Sequence, residues 1–229
     1  MKTIGLIGGL SWESSLEYYR ILNQTVKAKL GGLHSAKVLL YSFDFAEIEA
    51  LQHQGDWQQA SDRMVSAAQS LERGGADLLL ICSNTMHKMA EAVQESVAIP
   101  LLHIADATAE AIRARDIHTV GLLGTRFTME QDFYKGRLDR FGLQVLIPNE
   151  MERSIVYNII YDELCLGQVN PASRQHYRQI MQSLVARGAE GIILGCTEIM
   201  LLVQPGDSAV PLFDTTAIHA EVAVAFSIY

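Results

Sequence analysis

The chain has 229 residues, 49% of them hydrophobic, with 18 Lys+Arg against 26 Asp+Glu for a formal net charge of -8. That content excludes a disordered chain, and the thin scatter of basic residues argues against nucleic acid as a partner. No apolar run approaches the roughly 20 residues that span a bilayer, so no membrane partner is expected either.

Residues 3–7 are predicted as a buried first strand closed by the Gly8-Gly9 turn. Ser11-Trp12-Glu13-Ser14 opens a helix with Leu16, Tyr19, Ile21 and Leu22 on one side. Ser11, with Ser14 or Glu13, suits its cap and leaves the first amides free for an anion. The turn is not Gly-x-Gly-x-x-Gly, so no dinucleotide site is read there. Residues 37–42 form a second strand, 45–51 a helical or irregular stretch, and 52–57 a polar one containing Gln52 and His53. Residues 58–73 read as a helix with Met64, Ala67, Ala68 and Leu71 inward. The strand at 78–82 breaks into Ser83-Asn84-Thr85-Met86-His87, and a helix and a strand at 100–104 follow.

The same order then recurs. A helix at 106–115 precedes a strand at 119–123 and the turn Gly124-Thr125-Arg126-Phe127-Thr128. A helix at 129–141, a strand at 143–147, and helices at 152–166 and 171–187 come next, the last with Pro171 suited to its start. The strand at 192–194 ends at Gly195-Cys196-Thr197-Glu198, and residues 218–228 close the chain as an apolar helix. The segment 188–198, GAEGIILGCTE, echoes 75–85, GADLLLICSNT, pairing Cys196 with Ser83. Residues 4–9 echo 120–125, and 99–102 echo 210–213. One α/β unit used twice is the reading: two pseudo-symmetric lobes, each a parallel sheet flanked by helices, with the active site in the cleft between them. The first lobe takes 1–104 plus 212–229 and the second 105–211. In such sheets ligands sit beyond the carboxyl ends of the strands, where the polar turns gather.

Cys82, Cys165 and Cys196 share no metal-ligand spacing and leave an odd thiol, which implies reduced cysteines, no metal, and a cytoplasmic protein. The start, MKTIGLIGG, is too short and strand-like for a secretory leader. Cys196 follows a strand in a polar turn, where helix-start amides are expected to lower its pKa from about 8.5 and raise its thiolate fraction. Cys82 points to the opposite side of its strand from Ser83, and Cys165 lies in an apolar helical pattern; both read as structural.

IGLIGG at 4–9, SNTMH at 83–87, GLLGT at 121–125 and GCTEI at 195–199 carry a resemblance that runs end to end. The chain resembles the aspartate/glutamate racemase superfamily, in its aspartate racemase-like branch. The resemblance implies a cofactor-independent racemase of a small acidic amino acid, commonly a homodimer, in which two cysteines flank the α-carbon. It carries Asn84, Thr85 and Thr197 over as donors to substrate carboxylates, and Leu10 and Ser11 as the first glycine turn lining the site. Thr125 and Thr128 match a Thr-x-x-Thr turn that holds an anionic group, while Glu198 and His87 stand where they orient the reacting groups. Inverting a stereocentre without rotating the substrate needs one acid/base group on each face, which a duplicated lobe supplies.

Two departures shape the expectation. Ser83 holds the first cysteine's place, and a hydroxyl is too weak an acid to serve as an alkoxide at neutral pH without a dedicated base. The resemblance gives the L-enantiomer to the second-lobe cysteine, so Cys196 is expected to take the proton from the L-enantiomer, and Ser83, or a water it holds, to reprotonate the other face. Residues 43–57 also lack the Arg found in many aspartate racemases, leaving Gln52 as the substrate contact, and Glu163-Leu164-Cys165 offers no cation. Two other readings stay open: a single-thiol decarboxylase of the arylmalonate type, and a non-catalytic amino acid binder.

Overall fold

The computed structural model describes residues 1–228. They divide into two compact units, residues 1–104 with 219–228, and residues 105–218.

The first unit runs β1 (Ile4–Gly8), α1 (Trp12–Leu30), β2 (Val38–Ser42), α2 (Phe45–Gln54), α3 (Trp57–Arg73), β3 (Leu78–Ile81), a 3-10 turn at Thr85–Met89 and α4 (Ala90–Glu95). Its parallel sheet has the order β2-β1-β3, with Leu101 bridging Leu79 beyond β3. Both β1 and β3 are buried along their whole length. This is why they read as unbroken apolar runs rather than alternating ones. On α3, Ala60, Met64, Ala67, Ala68 and Leu71 are buried at helical spacing and pack with Leu79 and Ile81. Burying a side chain the size of Met64 or Leu71 stabilises the unit by about 1.5–3 kcal/mol.

The second unit repeats the plan with α5 (Ile104–Arg113), β4 (Thr119–Gly124), α6 (Arg126–Glu130), α7 (Asp132–Asp139), β5 (Gln144–Leu146), α8 (Glu150–Asp162), a 3-10 turn at Leu164–Leu166, α9 (Pro171–Ala186), β6 (Gly191–Gly195), α10 (Ile199–Leu202) and β7 (Leu212–Asp214), and α11 (Thr215–Ile228) then carries the chain back to the first unit. The sheet order is β5-β4-β6-β7, again all parallel. The two sheets match residue for residue. Ile7 pairs with Ile81 in one and Leu123 with Leu194 in the other, while Leu79 meets Leu101 as Ile192 meets Leu212.

Local chemistry explains the boundaries. Ser11 caps α1 and Gly31 ends it at φ 73°. Asn149 and Glu152 form a reciprocal capping box at α8, and Asn170 with Pro171 starts α9.

Several expectations shift. In α1 the inward residues are Tyr18, Ile21, Leu22 and Val26, while Leu16 and Tyr19 are exposed. Tyr18 wins the inner face because its hydroxyl bonds His219, far away in sequence. The strand expected at 100–104 reduces to the Leu101 bridge, since α5 already begins at Ile104. The helix expected at 129–141 starts earlier and breaks at Gln131, whose backbone is extended. The helix expected at 152–166 stops at Asp162. The segment 212–214 pairs with β6 in the second unit, and the chain rejoins the first at residue 219. Among the described residues, no helix is long and apolar enough to cross a membrane.

Candidate active site

In the first unit the expected residues collect past the carboxyl ends of β1 and β3. Leu10 and Ser11 follow β1 through Gly9, which sits at φ 72° and whose added Cβ would collide with the Phe43 backbone. Only glycine fits there. The Gly9 amide donates to Ser15 Oγ at 2.8 Å and Ser11 Oγ accepts from the Ser14 amide at 3.4 Å, so the turn is tied to the start of α1. Ser83, Asn84 and Thr85 follow β3 and are buried with Gln52. The Gln52 side-chain amide donates to Met86 Sδ at 3.0 Å, which brings α2 against the Ser83 turn.

Ser83 itself is 8% exposed, and its Oγ accepts from the Met86 amide at 3.4 Å. No base is bonded to that hydroxyl among the described residues. Its carbonyl is held instead by His87 Nδ1 at 2.7 Å. His87 Nε2 accepts from the Ile104 amide at 3.2 Å, which puts the ring proton on Nδ1. Two further imidazoles stand behind it, with the His103 ring at 4.5 Å and the His219 ring at 5.7 Å. His219 donates through Nε2 to the Leu102 carbonyl and accepts from the Tyr18 hydroxyl at Nδ1, each at 2.9 Å. Burial pushes its pKa down to about 4, against the weaker upward pull of that carbonyl. His219 is therefore a neutral ring near pH 7.

In the second unit β4 and β6 approach closely through paired glycines. A Cβ on Gly124 would lie 2.6 Å from the Gly195 carbonyl oxygen, and one on Gly195 would lie 2.8 Å from that of Leu123. Thr125 and Cys196 are the residues that follow this last pair of glycines. Thr125 caps α6 by accepting from the Thr128 amide at 3.3 Å, and the two threonine hydroxyls meet at 3.2 Å. Thr128 is wholly buried, so both side chains hold the turn together.

Cys196 is 8% exposed, and its thiol donates to Glu198 Oε2 at 2.8 Å. The Thr197 hydroxyl donates to the same oxygen at 3.0 Å, and both Thr197 and Glu198 are buried. The expected lowering of the thiol pKa is overturned. Burial first, and then the Glu198 carboxylate, raise it well above the ordinary value; the Cys165 thiol adds to this, and the Glu198 backbone amide opposes it. The anticipated amide is present, but desolvation and a neighbouring negative charge outweigh it.

Sequence reasoning passed over what surrounds this pair. Tyr177 on α9 is fully buried with no partner for its hydroxyl among the described residues, and burial above all holds its phenol protonated. Tyr161 on α8 is raised in the same order, by burial and then Cys196. Both sit at helical spacing and read as ordinary core. Cys165 is half-buried in its 3-10 turn. Cys82 is fully buried, and burial alone drives its pKa far up.

A family model described as Asp/Glu/Hydantoin racemase matches residues 7–223. The chain belongs to that racemase family. As a member it is an amino acid racemase, an isomerase. It is 54% identical, over the whole of both chains and with a TM-score of 0.92, to a Yersinia pestis protein solved as a candidate Asp/Glu racemase. An aspartate racemase homologue from Pyrococcus horikoshii OT3 is 36% identical with a TM-score of 0.87, again over both full lengths. The broad specificity amino-acid racemase RacX of Bacillus subtilis (strain 168) is 25% identical over 172 residues, 74% of this chain and 73% of its own.

Proposed function

We propose that the chain is a cofactor-independent racemase of L-aspartate and L-glutamate in which Cys196 removes the α-proton and reprotonation comes from the Ser83 side. The observation that carries the reading is the 2.8 Å bond from the Cys196 thiol to the buried Glu198 carboxylate. A thiol in that setting is protonated at rest. Transfer of its proton along this bond to Oε2 produces a thiolate beside a neutral acid, with no net change in the charge of the pair. The transfer is uphill, because burial and the carboxylate both favour the thiol, so the thiolate is a transient base formed as it is used. The Thr197 hydroxyl steadies the carboxylate that receives the proton.

Among the described residues Ser83 has no comparable acceptor on its hydroxyl, which supports an asymmetric pair: Cys196 is the base for the L-enantiomer, a water held by Ser83 gives the proton to the other face, and the proton held by Glu198 neutralises the hydroxide that is left and restores the starting state. Asn84, Thr85, Gln52, Leu10 and Ser11 in the first unit, and Thr125 and Thr128 in the second, are assigned to substrate carboxylates and the lining of the site. Relatives named for aspartate and for glutamate support an acidic substrate held by neutral donors.

A homodimer belongs to the same proposal. Trp12, Leu16 and Tyr19 form an exposed apolar stripe along α1, and Leu40 on the edge strand β2 is also half exposed. An apolar stripe of this kind marks an interaction surface. Sedimentation should give twice the monomer mass for the wild type and the monomer mass for Leu16→Glu; a monomeric wild type would remove the dimer from the proposal.

The racemase reading is tested by proton NMR in deuterium oxide with L- and D-aspartate and L- and D-glutamate. Deuterium should enter the α-position of the L-forms and hardly enter the D-forms. Carbon dioxide release from substituted malonates would point instead to the decarboxylase reading, and binding without any exchange to a non-catalytic binder.

A further inference from the structure

A second candidate ligand site lies wholly within residues 105–218, and two residues of its wall, Arg126 and Phe127, belong to the turn between Thr125 and Thr128. A cavity of about 310 Å³ is lined by Arg126, Phe127, Glu130, Gln131 and Tyr157. That volume is at the lower end of the range for small-molecule sites. Its charge is decided by two arginines. Glu130 already pairs with Arg153, Nε to Oε1 at 2.8 Å, so its carboxylate is neutralised from outside the lining. Arg126 has no such partner among the described residues. Its guanidinium donates to the neutral Ser154 hydroxyl at 2.9 Å and lies over the Tyr157 ring at 5.5 Å. Serine and an aromatic face satisfy part of the guanidinium and leave its positive charge uncompensated.

We propose that this cavity binds a small organic carboxylate. Arg126 pairs with the carboxylate, the rings of Phe127 and Tyr157 pack against an apolar body, and the Gln131 amide borders the anion. An ammonium ligand is disfavoured because the one carboxylate in the wall is taken. The site is also near the chemistry without being part of it. Tyr157 meets Tyr161 with 4.7 Å between ring centroids and the ring planes tilted.

Sodium benzoate is the probe, since it carries a carboxylate and a flat apolar body but no α-proton, and so is no racemase substrate. Titration of the nitrogen-15-labelled full chain should give saturable shifts at residues 126–131 and 154–157. Arg126→Gln should weaken the affinity at least tenfold, as expected for loss of a charge-assisted hydrogen bond. Benzyl alcohol, the neutral counterpart, should give no saturable shift. Shifts centred on residues 196–198, affinity unchanged in Arg126→Gln, equal binding of benzyl alcohol, or no saturation up to tens of millimolar would each overturn the proposal. None of these readings depends on turnover, so they stand apart from the fate of the racemase assignment.

Discussion

The turn after β3 and the turn after β6 occupy equivalent places in two copies of one topology, yet their hydrogen bonds differ. After β3 the next-but-one residue is Ser83, whose hydroxyl, among the described residues, meets a backbone amide and whose carbonyl is pinned by the His87 ring. After β6 the next residue is Cys196, bonded to a carboxylate buried within two residues of it. In one copy the hydrogen bonds hold the backbone of the turn, and in the other they join its side chains. A duplicated scaffold thus sets position, while the immediate hydrogen-bond partner decides which residue can lose a proton.

The comparison is broken most severely by taking away that partner. Glu198→Gln removes the negative charge that raises the thiol pKa, so the midpoint of Cys196 alkylation against pH should move down. If Glu198 is also the acceptor, exchange of L-glutamate or L-aspartate at neutral pH should fall by about 10²–10⁴-fold, the usual contribution of a positioned acid/base group. A variant that gains both thiolate and exchange rate would mean that the carboxylate only restrains the thiol.

The converse change sharpens the contrast. Ser83→Cys gives the first turn an acid of ordinary thiol strength, and D-to-L exchange should rise about tenfold or more over wild type, a gain on the order of 1.4 kcal/mol in barrier. No gain would count against Ser83 as the group serving the second face.

A smaller effect concerns stability behind the Ser83 turn. The His219 pKa is depressed to about 4 when folded, against about 6.5 for an ordinary histidine, so the unfolded chain binds the extra proton first. Its contribution is fully present above about pH 6.5 and is lost as pH falls through about 4, amounting to roughly 3 kcal/mol. Urea unfolding followed from pH 7 to pH 4 should show this decline, and His219→Gln should flatten it. An unchanged slope in the variant would assign the acid sensitivity to other groups.

Much of this frame was legible in the sequence, because duplication leaves its mark in local patterns. The apolar runs of β1, β3, β4 and β6, the glycine turns, and the pairing of Ser83 with Cys196 all follow from residues close together in the chain. What was not legible depends on distant partners. Tyr18 rather than Tyr19 faces inward because of His219, and Ile104 begins a helix where a strand was expected. The break at Gln131 carries no proline or glycine to announce it. The thiol pKa was misjudged for a related reason. The spacing Cys-Thr-Glu shows a carboxylate nearby, but not that its side chain folds back onto the sulfur in a dry setting. The cavity beside the exposed Arg126 has no local signal, because Tyr157 and Ser154 come from another helix.

The central claim is that the Cys196 thiol is the group that takes a hydrogen from the α-carbon of an L-amino acid. The most direct test is deuterium entry at that carbon, followed by proton NMR in deuterium oxide for wild type and Cys196→Ala with L-aspartate and L-glutamate. Exchange in the wild type that vanishes in the variant, with the fold intact by circular dichroism, is the predicted result. Exchange that persists in a folded Cys196→Ala protein would contradict it.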